Sequence, residues 1–333
     1  MPSLTRAFVL LALLLVTTCG PAPPSAMELY RLDQIRQGKL APADSAGQAE
    51  ACEPTPIARL PIEIRNRLLT VPVSIDGQVL RLIVDSGAER TTLSEAAAAR
   101  LKLPRDMKRI VTSVGVGGSG IDADGVVSNF TLGSTHLTPV ERVAVGKFGF
   151  DGTLSDGLLG ADILLAFDLD IDVPGKVLTI YSLRGCTNSR PRWQEPFEAI
   201  RGVTVKKDRL LIPFQLDGVS GQAILDTGAS HTTIGVQMAK RLGLTEESMS
   251  LDRKIVQAGV GAGSTTAHYH WFRELRIGPA AKTGLMLSVL SVDAGIGDAL
   301  IGADFLEGRR VWLSFSTKQV FVSKLAHEIG NQR

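Results

Sequence analysis

Residues 223–235 read AILDTGASHTTIG. The apolar run Ala223-Ile224-Leu225 leads directly into the carboxylate of Asp226, and Thr-Gly and a pair of threonines follow. An unpaired carboxylate beside an apolar core is costly. Asp226 is therefore either a turn residue that follows a strand or an acid held there to do chemistry. A second copy of the stretch bears on that choice. Residues 80–101, LRLIVDSGAERTTLSEAAAARL, match residues 221–242, GQAILDTGASHTTIGVQMAKRL, with Asp226 lying 141 residues after Asp85. Each copy runs apolar-apolar-Asp, Ser or Thr, Gly-Ala, then Thr-Thr and a helical stretch ending in Arg-Leu.

The match continues downstream. VTSVGVGGSG at 111–120 answers VQAGVGAGST at 256–265, and SDGLLGADIL at 155–164 answers GDALIGADFL at 297–306. Gly160 lies 75 residues after Asp85 and Gly302 lies 76 after Asp226. Matched landmarks in one order at nearly one spacing indicate an internal duplication. Upstream of each Asp, a DG dipeptide separates two strand-like runs, Leu69–Ile75 from Gln78–Val84 and Leu210–Leu216 from Val219–Leu225, as in a β-hairpin. Ser94–Leu101 and Val236–Leu242 read as short helices, with Ser94 and Glu95 suited to a helix start. Val177–Leu183 and Val311–Val322 supply closing strands. The Gly-rich segments read as flexible hairpins, with Gly115, Gly117 and Gly118 in the first copy and Gly259, Gly261 and Gly263 in the second.

Composition agrees with a mostly β protein. The chain has 333 residues, enough for two domains, with 44% hydrophobic residues, 34 glycines and few aromatics. A formal charge of +2 provides no large field to draw it to nucleic acid or an anionic membrane. Residues 1–26 read as a signal peptide: Arg6 supplies the charged start, and Ala7–Val16 is an apolar run too short to span a bilayer. Cleavage after Ala26 is favoured over lipidation at Cys19, because Thr18 is larger than the Gly, Ala or Ser usual before a lipidated cysteine. The membrane is a partner only if Cys19 is lipidated. Beyond the signal only Cys52 and Cys186 remain, and in an oxidising compartment they are candidates for one disulfide, the alternative being two separate buried thiols. Residues 27–58 read as a leader, linker or pro-segment, 59–183 as the N-terminal lobe, 184–200 as an interlobe linker, 201–325 as the C-terminal lobe and 326–333 as a tail.

Over residues 60–325 the chain resembles the pepsin-clan aspartic proteases, and specifically single-chain bacterial retropepsin-like enzymes. Asp85-Ser86-Gly87-Ala88, Asp226-Thr227-Gly228-Ala229, Leu158-Leu159-Gly160 and Leu300-Ile301-Gly302 carry the resemblance. It implies an all-β fold of two homologous β-barrel lobes with short helices and an active site at the lobe interface. It further implies that Asp85 and Asp226 form a catalytic dyad there, that Ser86 and Thr227 bond across the dyad beside Gly87 and Gly228, and that each apolar-apolar-Gly strand packs across its own Asp loop. Two close carboxylates share one proton and activate a water against a peptide carbonyl, with no covalent intermediate, metal or organic cofactor. The expected activity is aspartic endopeptidase, the expected partner a polypeptide substrate in the cell envelope, the expected location periplasmic or otherwise exported, and a monomer suffices. Two departures from pepsins stand out. Ala88 and Ala229 replace the hydroxyl residue that usually follows D-T-G, which predicts a mildly acidic optimum. Both lobes carry a Gly-rich flap candidate, and neither holds an aromatic.

Competing readings are a catalytically silent peptide-binding module and a scaffold or anchoring protein on the same fold; the two intact acids argue against the first and the two flaps against the second. Other features read more plainly. His268-Tyr269-His270 reads as a solvated strand face rather than half a metal site. The mismatch of His231 with Arg90 argues against a shared catalytic role. Asp162 and Asp304 are expected to cap the short helices that follow them. Asp168, Asp170 and Asp172 read as the polar face of a strand rather than a calcium loop. Asp122-Ala123-Asp124-Gly125 resembles an EF-hand opening without the later ligands.

Overall fold

Two hairpins of one design set up the two halves of the molecule. Strands Leu68–Ile75 and Gln78–Val84 pair antiparallel, as do Leu210–Leu216 and Val219–Leu225. The turns hold Asp76 at φ 49° with Gly77 at φ 81°, and Asp217 at φ 49° with Gly218 at φ 84°. Two successive positive φ values define the tight turn that suits strand twist, and Asp-Gly accepts it at low cost. Each turn Asp also ties down a neighbour: Asp76 Oδ1 accepts from Ser128 N at 2.8 Å, and Asp217 Oδ1 accepts from Glu274 N at 2.8 Å.

The protein is described from a computed structural model that covers residues 54–115, 118–137, 140–148, 154–182, 189–204, 209–259, 263–278 and 280–325. The signal segment, Cys19, Cys52, Cys186, Gly117, Gly261 and the tail 326–333 lie outside the described residues. The fold is all-β with two lobes. In lobe one, strands run in the spatial order 105–115, 118–126, 142–146, 92–94, 157–159, 78–84 and 68–75. Lobe two repeats it as 253–258, 264–277, 280–290, 233–234, 299–301, 219–225 and 210–216. In each lobe the short apolar strand before Gly160 or Gly302 lies parallel to the strand that ends in the Asp.

A third, six-stranded sheet joins the lobes, in the order 55–61, 177–182, 167–172, 310–314, 319–323, 197–201. Its central pairing, Phe167–Asp172 against Arg310–Ser314, crosses from one lobe to the other. This sheet moves two boundaries. Thr55–Ala58, read as the end of a leader, belongs to its first strand, and Phe197–Ile200, read as linker, belongs to its last. Both segments look poorly patterned because an edge strand packs on one side and is mostly wet on the other, as the exposed Thr55, Pro56, Arg59 and Pro61 show.

The same sheet corrects the reading of Asp168 and Asp170. They lie on a strand as expected, but on a buried face, with 0% and 1% exposure. Trp312 Nε1 donates to Asp168 Oδ2 at 3.1 Å, and Arg310 grips Asp170 through two bonds of 2.9 and 2.7 Å. The Gly-rich segments form antiparallel hairpins, with Gly115 opposite Gly118 and Ala258 opposite Ser264 at their ends. Helices Glu95–Arg100 and Val236–Arg241 stand where the sequence places them. Ser94 caps the first, accepting from Ala97 N at 3.0 Å, whereas Gly235 opens the second with no side-chain bond. Among the described residues no helix is long and apolar enough to cross a membrane.

Candidate active site

Each Asp is set by the strand that precedes it and by the short strand lying beside it. Asp85 N donates to Leu159 O at 3.0 Å, and Asp226 N donates to Ile301 O at 2.9 Å. Each side chain then turns back on its own loop. Asp85 Oδ1 accepts from Gly87 N at 3.0 Å and Ala88 N at 2.8 Å; Asp226 Oδ1 accepts from Gly228 N at 2.9 Å and Ala229 N at 3.1 Å. One oxygen of each carboxyl is thereby engaged by backbone donors, and Ala88 and Ala229 bring no hydroxyl.

The loops interlock across the lobe boundary. Ser86 N donates to Thr227 Oγ1 at 3.0 Å, and Thr227 N donates to Ser86 Oγ at 3.1 Å. The hydroxyls reach further into the opposite lobe, Ser86 Oγ to Leu225 O at 2.7 Å and Thr227 Oγ1 to Val84 O at 2.6 Å. Every polar group of this four-bond crossing is satisfied, as burial demands. The crossing brings the glycines against the opposing acids. A Cβ on Gly87 would stand 2.4 Å from the Asp226 carboxyl carbon, and one on Gly228 would stand 2.2 Å from that of Asp85. Only glycine fits at either place, and Asp85 and Asp226 lie together at the interface.

Their environment raises both carboxyls. Burial pushes Asp85 well above the ordinary carboxylate range, and the charge of Asp226 beside it pushes further. Burial also raises Asp226, opposed by the N–H groups of Gly228 and Ala229, by a bond from Asp85 and by the charge of Arg209. Two acids so placed titrate as a pair.

The Gly-Ala-Asp motifs brace the loops. Asp162 Oδ1 accepts from Thr91 N and Thr91 Oγ1, both at 2.7 Å, and Asp304 Oδ1 accepts from Thr232 N at 2.9 Å and Thr232 Oγ1 at 2.8 Å. These acids do not cap the short helices, as the sequence suggested; Gly160 and Gly302 occupy the N-cap positions without a side-chain bond. The acids find a stronger pair of donors in the first threonine of each Thr-Thr, which also accepts from Gly160 N or Gly302 N. That threonine and Asp set the far end of each Asp loop.

The Gly-rich hairpins are tied to the same loops. In lobe one, Arg90 Nη1 pairs with the buried Asp124 at 2.7 Å. In lobe two, Gln257 Nε2 donates to Thr233 Oγ1 at 3.2 Å and Ser288 Oγ at 2.8 Å. Asp124 is therefore an ion-pair partner on a strand. His268 is buried, not solvated: Nδ1 meets Met249 O at 3.0 Å and Nε2 meets Glu246 at 3.2 Å, because residues 245–252 fold over that face. His270 meets Asp252. Among the described residues no cluster of three or more His, Cys, Asp or Glu is placed to hold a metal ion. His231 contacts Arg67 of the other lobe at 2.6 Å. Arg209, Glu89 and Gln257 were not singled out from sequence, and Asp124 was noted only within an incomplete EF-hand-like opening; the unequal residues at matched repeat positions were the signal available.

A family model described as Aspartyl protease matches the chain twice, over residues 71–163 and 212–305, once per lobe. No curated protein matches the chain in sequence. Among solved structures, the aspartic proteinase from Irpex lacteus is similar, at 16% identity and a TM-score of 0.47, over 83% of this chain and 99% of that one.

Proposed function

The chain belongs to the aspartyl protease family, and from that premise we propose that it is an exported aspartic endopeptidase acting on polypeptides of the cell envelope. The observation that carries the reading is the crossing of the two loops, which leaves the opposing glycine of each lobe against the carboxyl of the other. That arrangement gives two buried acids at one place, from one chain, so a monomer completes the site.

The chemistry follows from one shared proton. The ionised acid takes a proton from a water as its oxygen attacks the peptide carbonyl. The protonated acid donates to the carbonyl oxygen, giving a neutral tetrahedral diol. Collapse breaks the C–N bond: the departing nitrogen takes a proton from the protonated acid while the ionised acid takes one from a diol hydroxyl, whose oxygen becomes the carbonyl of the new carboxyl, so the pair keeps its single charge. Water and the two acids account for every proton. Ala88 and Ala229 add no hydroxyl to stabilise the charge, so the optimum lies at mildly acidic pH. Residues 1–26 as signal and Cys52 with Cys186 as a disulfide support export to an oxidising compartment. On this reading 27–58 includes a leader or pro-segment, and a weakly charged chain has no role on nucleic acid.

The test is cleavage of a mixed peptide library by protein beginning at residue 27, across pH, beside Asp85→Asn and Asp226→Asn. Each variant should lose about 10²–10⁴ in kcat/KM while keeping its circular dichroism. Undiminished cleavage by either folded variant would rule out the dyad, and no cleavage by the parent on any peptide favours the silent binding module.

A further inference from the structure

The two Asp loops are alike in their bonds but stand in unlike surroundings. Glu89 follows Asp85 by four residues in lobe one, and Arg209 opens the first hairpin of lobe two. They meet across the lobe boundary, Arg209 Nη2 to Glu89 Oε1 at 3.0 Å, both partly shielded from water. Glu89 is held in place, since its carbonyl accepts from Asp162 N and that of Ala88 accepts from Ala161 N. Arg209 Nε is buried without a hydrogen-bond partner.

Counting back from the matched Asp-Gly turns, the lobe-one position that answers Arg209 holds Leu68, and the lobe-two position that answers Glu89 holds Ser230. Leu68 is buried with Ile83 and Leu158 against Ala88. Ser230 Oγ bonds its neighbour His231 at 2.9 Å. The remaining charges of the loops are engaged elsewhere: Arg90 on Asp124, and Arg67 on His231 and Glu307. The register that pairs Leu211 with Ile224 carries Arg209 to the place opposite Asp226, whereas the register that pairs Thr70 with Ile83 carries the apolar Leu68 to the place opposite Asp85, so a half-buried cation faces the two acids from one side.

Resting on the dyad reading above, we propose that Arg209 is a positioning residue that breaks the symmetry of the pair: pinned by Glu89, its fixed charge holds the shared negative charge on Asp226 and leaves the proton on Asp85. Asp226 is then the acid that takes the proton of the attacking water, and Asp85 the one that donates to the carbonyl oxygen. Burial raises both acids, and at Asp226 the charge of Arg209 opposes that rise together with the N–H groups of Gly228 and Ala229. Loops as alike as these supply no preference of their own. A duplicated chain can change one lobe without the other, and Leu68 against Arg209 is such a change.

The test is the pH profile of kcat/KM for the parent, Arg209→Leu, Arg209→Lys and Glu89→Gln. The active pair carries one negative charge, so removing a nearby cation moves both limbs to higher pH and removing a nearby anion moves them lower. Arg209→Leu should shift both limbs up by about half a pH unit to one, Glu89→Gln should shift them down, and Arg209→Lys should leave them in place. Each of the two shifting variants breaks the same ion pair, so a merely structural bond would lower the height of both profiles and move neither; that result overturns the proposal. The Lys and Gln variants keep the test alive if Arg209→Leu does not fold. Carboxyl ¹³C titration of the folded protein reads the pair without turnover. Asp226 losing its proton well below Asp85, with the gap narrowed in Arg209→Leu, supports the proposal even if the parent cleaves nothing and the protease reading fails; equal titration of the two overturns it.

Discussion

The two lobes agree at the Asp loops and disagree where they hold each other. Around Asp85 and Asp226 the bonds come in matched pairs, down to the threonine gripped by Asp162 or Asp304. In the joining sheet the matching ends. Lobe one contributes Asp168 and Asp170, and lobe two meets them with Trp312 and Arg310. Arg310 also lies 5.0 Å over the ring of Trp193, which itself donates to Asp170. Two copies of lobe one would set acids against acids in that sheet, and two copies of lobe two would set Trp312 against its own counterpart and Arg310 opposite a serine. A site made by two facing halves demands sameness, because each loop must accept the other. An interface between covalently linked halves has no such demand, and complementary residues pair better than identical ones.

This comparison can be broken most sharply at the glycines. Gly87→Ala and Gly228→Ala each drive a methyl into the opposing carboxyl. Both should cost about 100-fold or more in kcat/KM, and by similar factors, as a misplacement near 1 Å does. An active variant on either side would show that the loops do not cross as described.

Asp168 tests the unlike region. Burial raises its carboxyl from 3.8 to about 6, and its Oδ1 has no hydrogen-bond partner. A raised acid favours the folded state when protonated. That contribution is complete below the ordinary value of 3.8 and is lost as the pH climbs through about 6. Asp168→Asn should flatten the decline in stability over that window and gain about 3 kcal/mol relative to the parent at neutral pH. Denaturant titrations at pH 4, 5, 6 and 7 read the slope, and an unchanged slope would put the acid elsewhere than in the core.

Next in size come the crossed hydroxyls. Ser86→Ala and Thr227→Ala each strand a buried N–H of the opposite lobe, at about 1–3 kcal/mol. Because the bonds form one network, the double variant should lose less than the two losses combined; strict additivity by chemical denaturation would mean that the two sides act independently. The smallest effect is at the helix starts. Ser94→Ala should lose about 1 kcal/mol with its cap, whereas Gly235→Ser should not gain it back in lobe two, since a Cβ there would stand 2.1 Å from Gly297 O. A stabilised Gly235→Ser protein would contradict that close approach.

Much of this molecule was legible in the chain itself. The duplication, the Asp-Gly hairpins and the two short helices follow from local signals, and the pairing of Asp85 with Asp226 was implied by the resemblance to aspartic proteases. A turn dipeptide, an apolar run and a repeat are properties of neighbouring residues, so they can be read without knowing what lies across the fold. What only the tertiary structure decided depends on partners that lie from 19 to 144 residues away in the chain. Asp168, Asp170 and His268 have the composition of a wet strand face and are buried because another strand or loop covers them. Asp162 and Asp304 stand at helix starts yet serve the threonines, because two donors on a facing loop outbid a short helix end. The edge strands at Thr55–Pro61 and Phe197–Arg201 carry little pattern of their own and are strands because the joining sheet offers them backbone partners. Arg209 and Glu89 are two ordinary surface residue types in the sequence. Folding makes them a pair at the lobe boundary near the two buried acids, because electrostatics depends on distance in space and on how much water lies between.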